Sequence, residues 1–106
     1  MALTRKFRET VLARVQKDPR YRDRLFTEAL NSFIVGDTTV GKALLRDLVN
    51  ATVGFEELAL IVGIPSKSLH RMLAPRGNPS TESLFAIIHA LQDRARVRLR
   101  VVARAG

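Results

Sequence analysis

The sequence predicts a mainly α-helical fold of five to six short helices. Apolar residues recur every three or four positions in six successive segments, which is the spacing of a helix with one buried face. Asp, Ser, Thr, Gly and Pro separate these segments, and such residues begin or end helices. The chain has 106 residues, of which 46% are hydrophobic and 26% charged, as in an ordinary globular domain. We therefore expect one compact domain with a single core.

The first part, residues 1–39, is predicted to be a pair of helices packed on the core. Thr4 is the expected cap of the first helix, whose inward positions are Phe7, Val11, Leu12 and Val15. Asp18-Pro19 predicts the start of the second, because Asp accepts hydrogen bonds from free amides and Pro suits the first helical position. Gly36 is expected to end this helix, whose stripe contains Tyr21, Leu25, Phe26, Ala29, Leu30 and Phe33. One interpretation of this helix pair is that its aromatic and basic residues bind a partner. The other, which we favour, is that the aromatic residues belong to the core and the arginines face solvent.

The second part, residues 40–93, contains most of four further predicted helices. The first begins at Asp37 or Thr38 and reaches about Asn50, and its apolar stripe consists of Val40, Leu44, Leu45, Leu48 and Val49. Two short helices follow at residues 55–62 and 65–73. Residues 74–79 are dense in helix breakers and must form a loop. Ser80 or Thr81 is then expected to cap a last helix with inward positions Leu84, Ile87, Ile88 and Leu91.

The third part, residues 94–106, changes its period. Val97, Leu99, Val101 and Ala103 alternate with residues that are mostly arginine, and a two-residue repeat is typical of a half-buried β-strand. A lone strand needs a partner for its backbone groups, which the same strand of a second copy would supply in a homodimer. A disordered basic tail is the alternative interpretation, and the pattern fits both.

The charge of the chain favours a polyanionic partner. The net charge is +8 and the isoelectric point about 11.3, although a basic protein without such a ligand would look the same. The excess lies at the two ends: residues 40–93 carry five basic and five acidic side chains, and residues 94–106 carry five arginines and no acid. Within the neutral middle part, residues 63–80 contain three basic side chains and no carboxylate. Positive charge is therefore local to that stretch.

Several classes of protein are disfavoured by the composition. The absence of Cys excludes disulfides, Cys-based zinc sites and thiol nucleophiles. His70 and His89 lack a metal-ligand spacing and no Gly-rich phosphate loop occurs, so we expect no metal, no cofactor and no enzymatic activity. The first residues are charged and no segment reaches about 18 apolar residues, so we expect neither a secretory signal nor a membrane helix. We expect a cytoplasmic protein.

Residues 55–80 have the features of a helix-turn-helix. In this motif one helix braces a second, which lies in the major groove of DNA with its N-terminal residues against the bases. Ala59 supplies the small residue that close packing of the two helices favours. Gly63 tolerates the positive φ of a sharp turn. Four apolar residues anchor the second helix, Pro65–Leu73, to the core: Ile64, Leu69, Met72 and Leu73.

The remaining side chains of this stretch suit DNA. We assign base contacts to Ser66, Lys67 and Arg71, because Lys and Arg donate to guanine acceptors and Ser pairs with several base edges. We assign phosphate contacts to four further residues: Ser68, His70, Arg76 and Asn78. For His70, a plain exposed residue is an equal alternative. The predicted ligand is double-stranded DNA, bound by a homodimer.

The order of residues from Leu58-Ala59 through Gly63-Ile64 to Ser68-Leu69 resembles the lambda-repressor-like (Xre-type) helix-turn-helix domain. The continuation Ser68-Leu69-His70-Arg71-Met72-Leu73, followed by Gly77-Asn78-Pro79, is similar to HigA-type antidote proteins of toxin–antitoxin modules and related small regulators. This resemblance covers roughly Val40 to Leu91. It implies a transcriptional regulator, a repressor of antitoxin type, with a cognate toxin protein as a further partner. Toxin neutralisation as the main role, with DNA binding secondary, is the alternative that it leaves open.

Two positions depart from that family pattern. Such domains often have a Gln that touches phosphate where this chain has Phe55, so the phosphate contact must come from elsewhere. Pro65 replaces the usual Ser or Thr cap of the second helix, which leaves Ser66 as the candidate for capping. A helix-turn-helix retained for packing alone is a further alternative, and the lack of any acid on the outer side of residues 66–71 argues against it.

Overall fold

Six helices form within the part of the chain that is described. The computed structural model describes residues 5–106, and for Arg5, Phe7 and Arg8 it describes the backbone alone. The helices are α1 (Arg5–Lys17), α2 (Pro19–Ile34), α3 (Thr38–Ala51), α4 (Gly54–Val62), α5 (Ser66–Met72) and α6 (Thr81–Ala95). The prediction of a mainly α-helical fold with five to six helices is confirmed. The expected cap Thr4 and the inward side chain of Phe7 lie outside what is described.

Polar side chains cap three of the helices as expected. The Asp18 carboxylate accepts hydrogen bonds from the amides of Arg20 and Tyr21 at 3.0 and 3.3 Å, with Pro19 as the first helical residue. Of the two residues predicted at the start of α3, Asp37 is the cap, since its carboxylate accepts from the Val40 amide at 3.2 Å. Ser80 caps α6 by accepting from the amide of Ser83 at 3.1 Å. These bonds satisfy amides that a helix leaves without an intrahelical partner.

α3 lies at the centre of the fold and packs on α1, α2 and α4. One apolar cluster joins all six helices, and its largest fully buried side chains are Phe26, Leu45, Leu48, Val49, Leu58, Leu69, Leu73 and Ile87. Val40, which was expected in the stripe of α3, is instead 43% exposed. It lies in the first turn of the helix, where Gly41 rather than Val40 faces the Phe33 ring of α2.

The N-terminal helix pair contributes its aromatic residues to the core. Phe26 is fully buried, and Tyr21 and Phe33 are half-buried against the same apolar cluster. Arg20 and Arg24 are exposed. Arg14 of α1 stacks over the Tyr21 ring at 4.1 Å from its centroid, which adds a cation–π contact between the two helices. The interpretation of these aromatics as core positions is confirmed.

The C-terminal residues 97–106 form neither helix nor strand in the described chain. Arg96 ends α6 in the left-handed conformation, with φ of 55°. The chain then turns back, because Gln92 accepts a hydrogen bond from the Val97 amide through its backbone carbonyl and one from the Leu99 amide through Oε1. Leu99 is half-buried against the core. The predicted strand is therefore not seen within a single chain, and its pairing with a second copy stays a prediction.

The helices described between residues 5 and 106 are α1 to α6, and a helix must be long and apolar to cross a bilayer. None of those between residues 5 and 106 combines sufficient length with sufficient apolar character to cross a membrane.

Candidate nucleic-acid interface

α4 and α5 form a helix–turn–helix unit whose turn is made by Gly63. This residue has φ of 71°, and its amide donates to the Ala59 carbonyl at 2.9 Å. A side chain at this position would disfavour that backbone conformation. α5 packs on α4, and α4 packs in turn on α3 and α6. Leu58 of α4 and Leu69 of α5 are both fully buried, so the two helices share the core and the orientation of α5 is fixed.

The inward direction of α5 determines which of its side chains face solvent. Leu69 is buried, as is Leu73 just after the helix, and these positions lie one turn apart. On a helix with 3.6 residues per turn, Lys67 and Arg71 then lie almost opposite to them. Both are exposed. The two basic side chains predicted to contact bases are therefore neighbours on the outermost line of α5.

The serines of α5 lie closer to the protein than the two basic residues. Ser66 and Ser68 are half-buried, one on each side of the line formed by Lys67 and Arg71. Each is therefore at the margin of the exposed surface. The structure brings all five predicted residues of α5 to one short helix of seven residues.

His70 is exposed but has a partner within the motif. Its ring stacks on that of Phe55, with centroids 3.8 Å apart and planes inclined by 22°. Phe55 is buried at the start of α4. An aromatic ring at position 55 therefore braces α5 through His70. The residue as a whole stays exposed beside this contact.

The start of α5 differs from the expectation for its cap. Pro65 occupies the capping position with φ of −56° and ψ of 140°, and no side chain accepts a hydrogen bond from the free amides. The expectation that Ser66 takes over this role is wrong. Ser66 is the first residue of the helix. A capping side chain belongs to the residue before the helix, from where it accepts a hydrogen bond from an amide of the first turn.

The loop of residues 74–79 carries the other two predicted contacts. Arg76 and Asn78 are both exposed. Gly77 lies between them against the end of α5, where an added Cβ would be 2.3 Å from the Arg71 carbonyl oxygen and 2.2 Å from that of Met72. No L-side chain fits that space. The glycine of the Gly-Asn-Pro sequence is therefore required by a close approach of two backbones.

Two basic residues of α3 hold this loop and the end of α5, and neither is among the residues predicted from the sequence. Lys42 Nζ donates to the carbonyl oxygens of Pro75 at 2.9 Å and Gly77 at 2.7 Å. Arg46 Nη1 donates to the carbonyl of Leu73. A signal was present, since Lys42 stands three and seven residues before the buried Leu45 and Val49, on the inward face of α3. The charge obscures this signal, since a lysine is seldom buried.

No group of three His, Asp or Glu side chains that could hold a metal ion occurs between residues 5 and 106. No protein-family model, curated protein or solved structure matches this chain. The resemblance to lambda-repressor-like domains therefore stays a prediction based on the residues named above.

Proposed function

We propose that this protein is a sequence-specific DNA-binding transcriptional regulator, a repressor of antitoxin type, that reads the major groove with α5. The proposal includes a cytoplasmic location, double-stranded DNA as the ligand, and neither cofactor nor enzymatic activity. Lys67 and Arg71 are its principal base-reading residues, with Ser66 beside them. Ser68, His70, Arg76 and Asn78 contact the phosphates on either side.

One observation carries this proposal above all others. The exposed line of α5 and the loop after it contain Lys67, Arg71 and Arg76, with no carboxylate between residues 63 and 80. DNA presents a dense row of phosphates, so a carboxylate at such an interface would be repelled. A helix whose basic side chains point away from a rigid core can enter a groove without unfolding.

The direct experiment is titration of the protein with the DNA upstream of its own gene at several salt concentrations, against random competitor DNA. The proposal predicts tighter binding to the upstream DNA, with an affinity that falls as salt rises because counterions are released. Equal affinity for both DNAs at every salt concentration would contradict sequence-specific binding.

Two variants separate the base contacts from the phosphate contacts. Arg71→Ala should weaken binding to the specific site by about 1–3 kcal/mol and relax base preference. Arg76→Ala should weaken binding to all sequences alike and make the salt dependence shallower. Identical losses on specific and random DNA for both variants would remove the assignment of α5 as the recognition helix.

The proposal also includes a homodimer, for which an apolar groove offers a contact surface. Ile34, Phe85 and Val101 line this groove between α2, α6 and the C-terminal residues, and they are 61, 56 and 79% exposed. In the described chain, the backbone of residues 100–106 makes no hydrogen bond. An exposed apolar surface beside unpaired backbone groups suits pairing with a second copy.

Light scattering tests this part of the proposal. The full chain should have twice the mass of one 11.8 kDa chain, and a chain that ends at Asp93 or carries Phe85→Ser should be a monomer. Leu60→Ser is the matched control, because Leu60 is an exposed apolar residue of α4 outside the groove. A monomeric full chain would refute the dimer.

The same groove supports a second candidate function, binding of a cognate toxin as the main role of the protein. Here the groove takes a segment of the toxin rather than a second copy. This function predicts a small gene beside the one for this chain and co-purification of the two products, lost in Phe85→Ser and retained in Leu60→Ser. A solitary gene would argue against it.

A further inference from the structure

The loop of residues 74–79 is held on its inner side by α3. Lys42 Nζ lies within hydrogen-bonding distance of two of its carbonyl oxygens, those of Pro75 and Gly77. The Arg46 guanidinium reaches the carbonyl of Leu73, at the end of α5. These three carbonyls belong to alternate residues. One edge of this short segment is therefore turned towards α3.

Lys42 is buried to an extent that basic residues seldom reach. The residue is 5% exposed, and among the residues that the structure describes it is the only buried basic one. A lysine removed from water loses the hydration of its ammonium group, which must be replaced by hydrogen bonds. The two loop carbonyls supply that replacement. Since the ammonium and the carbonyls satisfy each other, loss of the lysine would leave two carbonyls without their partner.

The outer side of the loop is set by the same arrangement. Arg76 and Asn78 alternate with the residues whose carbonyls face α3, and both are exposed. The Gly77 amide closes the turn by donating to the Ala74 carbonyl at 2.8 Å. Gly77 also contacts the last turn of α5 so closely that a Cβ cannot be added. The backbone that carries Arg76 and Asn78 is therefore fixed in position relative to α5 and its exposed basic side chains.

We propose that Lys42 and Arg46 are positioning residues for the nucleic-acid contact of the loop at residues 74–79. They hold the loop so that Arg76 and Asn78 reach the phosphate backbone while α5 is in the groove. This inference rests on the proposed function. Lys42, which does not itself touch DNA, then raises the affinity for DNA because it positions Arg76, which does.

The first test needs no DNA. Lys42→Met keeps most of the length of the side chain and removes the ammonium, and hydrogen exchange reports on the Gly77 amide. We expect exchange at Gly77 to accelerate at least tenfold, while amides of the core helices, such as that of Ile88, keep their protection. Lys67→Met is the matched control, since Lys67 is exposed. Unchanged exchange at Gly77 in Lys42→Met would overturn the inference.

The second test is a double-mutant cycle on random DNA. Loss of one phosphate contact lowers the salt slope by about 0.9, which corresponds to about fivefold in affinity at 0.15 M salt. Lys42→Met and Arg76→Ala should each show this loss of slope, and the double variant should have the same salt slope as Arg76→Ala alone, because Asn78 carries no charge. Additive losses, or unaltered affinity in Lys42→Met, would show that Lys42 does not act through Arg76.

The outcomes also separate this inference from the proposed function. If the wild-type protein binds no DNA, the proposed function fails, whereas the exchange result decides independently whether Lys42 holds the loop. If Lys42→Met loses protection throughout the core, Arg46→Gln replaces it in both measurements. Full protection of the Gly77 amide in Arg46→Gln then overturns the inference, and selective loss of that protection supports it.

Discussion

Two basic regions of the molecule differ in how they are held. α5 and the loop after it pack on α4 and α3, and their backbone is tied down by buried leucines and by Lys42 and Arg46. The C-terminal residues 97–106 carry a higher density of arginine, yet Gln92 and the half-buried Leu99 are what fasten them. The first region is a shaped surface, and the second is a charged segment with free backbone groups.

This difference bears on how positive charge should be interpreted. Charge alone gives a salt-dependent attraction to any polyanion. Reading a base sequence requires donors in fixed positions, because hydrogen bonds to base edges are directional. Lys67 and Arg71 meet that requirement through the helix that carries them. The arginines of the C-terminal residues can add attraction without adding sequence preference.

The largest difference is expected for the same substitution made in each region. Leu69→Ala removes a fully buried side chain from α5 and should cost about 2–5 kcal/mol of unfolding free energy. Leu99→Ala removes a half-buried side chain from the C-terminal residues and should cost about 1 kcal/mol. Urea denaturation measures both. Equal costs would mean that the two regions are packed equally well.

An added methyl group sharpens the same comparison. Gly77→Ala forces a carbon against two backbone carbonyls and should cost about 1–3 kcal/mol of unfolding free energy. Gly106→Ala adds the same carbon in open space at the end of the chain and should change nothing measurable. Thermal unfolding of both variants provides the check. A neutral Gly77→Ala would show that the loop is not held against α5.

The smallest expected effect lies at the junction between α6 and the C-terminal residues. Arg96 has a positive φ, which costs an L-residue about 1–2 kcal/mol, so Arg96→Gly should stabilise the protein by about 0.5–1 kcal/mol. Arg98→Gly is the control without a positive φ and should bring no gain. The free energy of unfolding in urea distinguishes them, and a destabilised Arg96→Gly would contradict the assigned helix end.

Much of the fold followed from local signals in the sequence. Asp18 and Ser80 mark helix starts through side-chain oxygens that accept from free amides, and Gly63 marks a helix end through its positive φ. The helical spacing of the apolar residues likewise predicted which faces of α2 and α6 are buried in the core. Such predictions depend on neighbours within about four residues, which is the range of a helical hydrogen bond.

The long-range parts could not be predicted in this way. Lys42 contacts residues more than thirty positions later in the chain, and no local pattern reports such a pairing. The stack of His70 on Phe55 joins two helices whose mutual orientation the sequence does not specify. The backbone turn at residues 92–99 is held by Gln92, through its backbone carbonyl and through its side chain. For the predicted DNA contacts, the residues were chosen from the sequence, whereas the extent to which each is exposed depends on the fold.

The central claim is that α5 reads base sequence whereas the C-terminal arginines only attract DNA. The most direct test measures the ratio of affinities for upstream and random DNA in Arg71→Ala and Arg98→Ala. Removal of Arg71 should reduce this ratio by a factor that corresponds to about 1–3 kcal/mol. Arg98 is exposed and lies outside the groove proposed for dimer contact, so Arg98→Ala should weaken both affinities alike and leave the ratio at its wild-type value. A ratio that falls in Arg98→Ala and is unchanged in Arg71→Ala would contradict the claim.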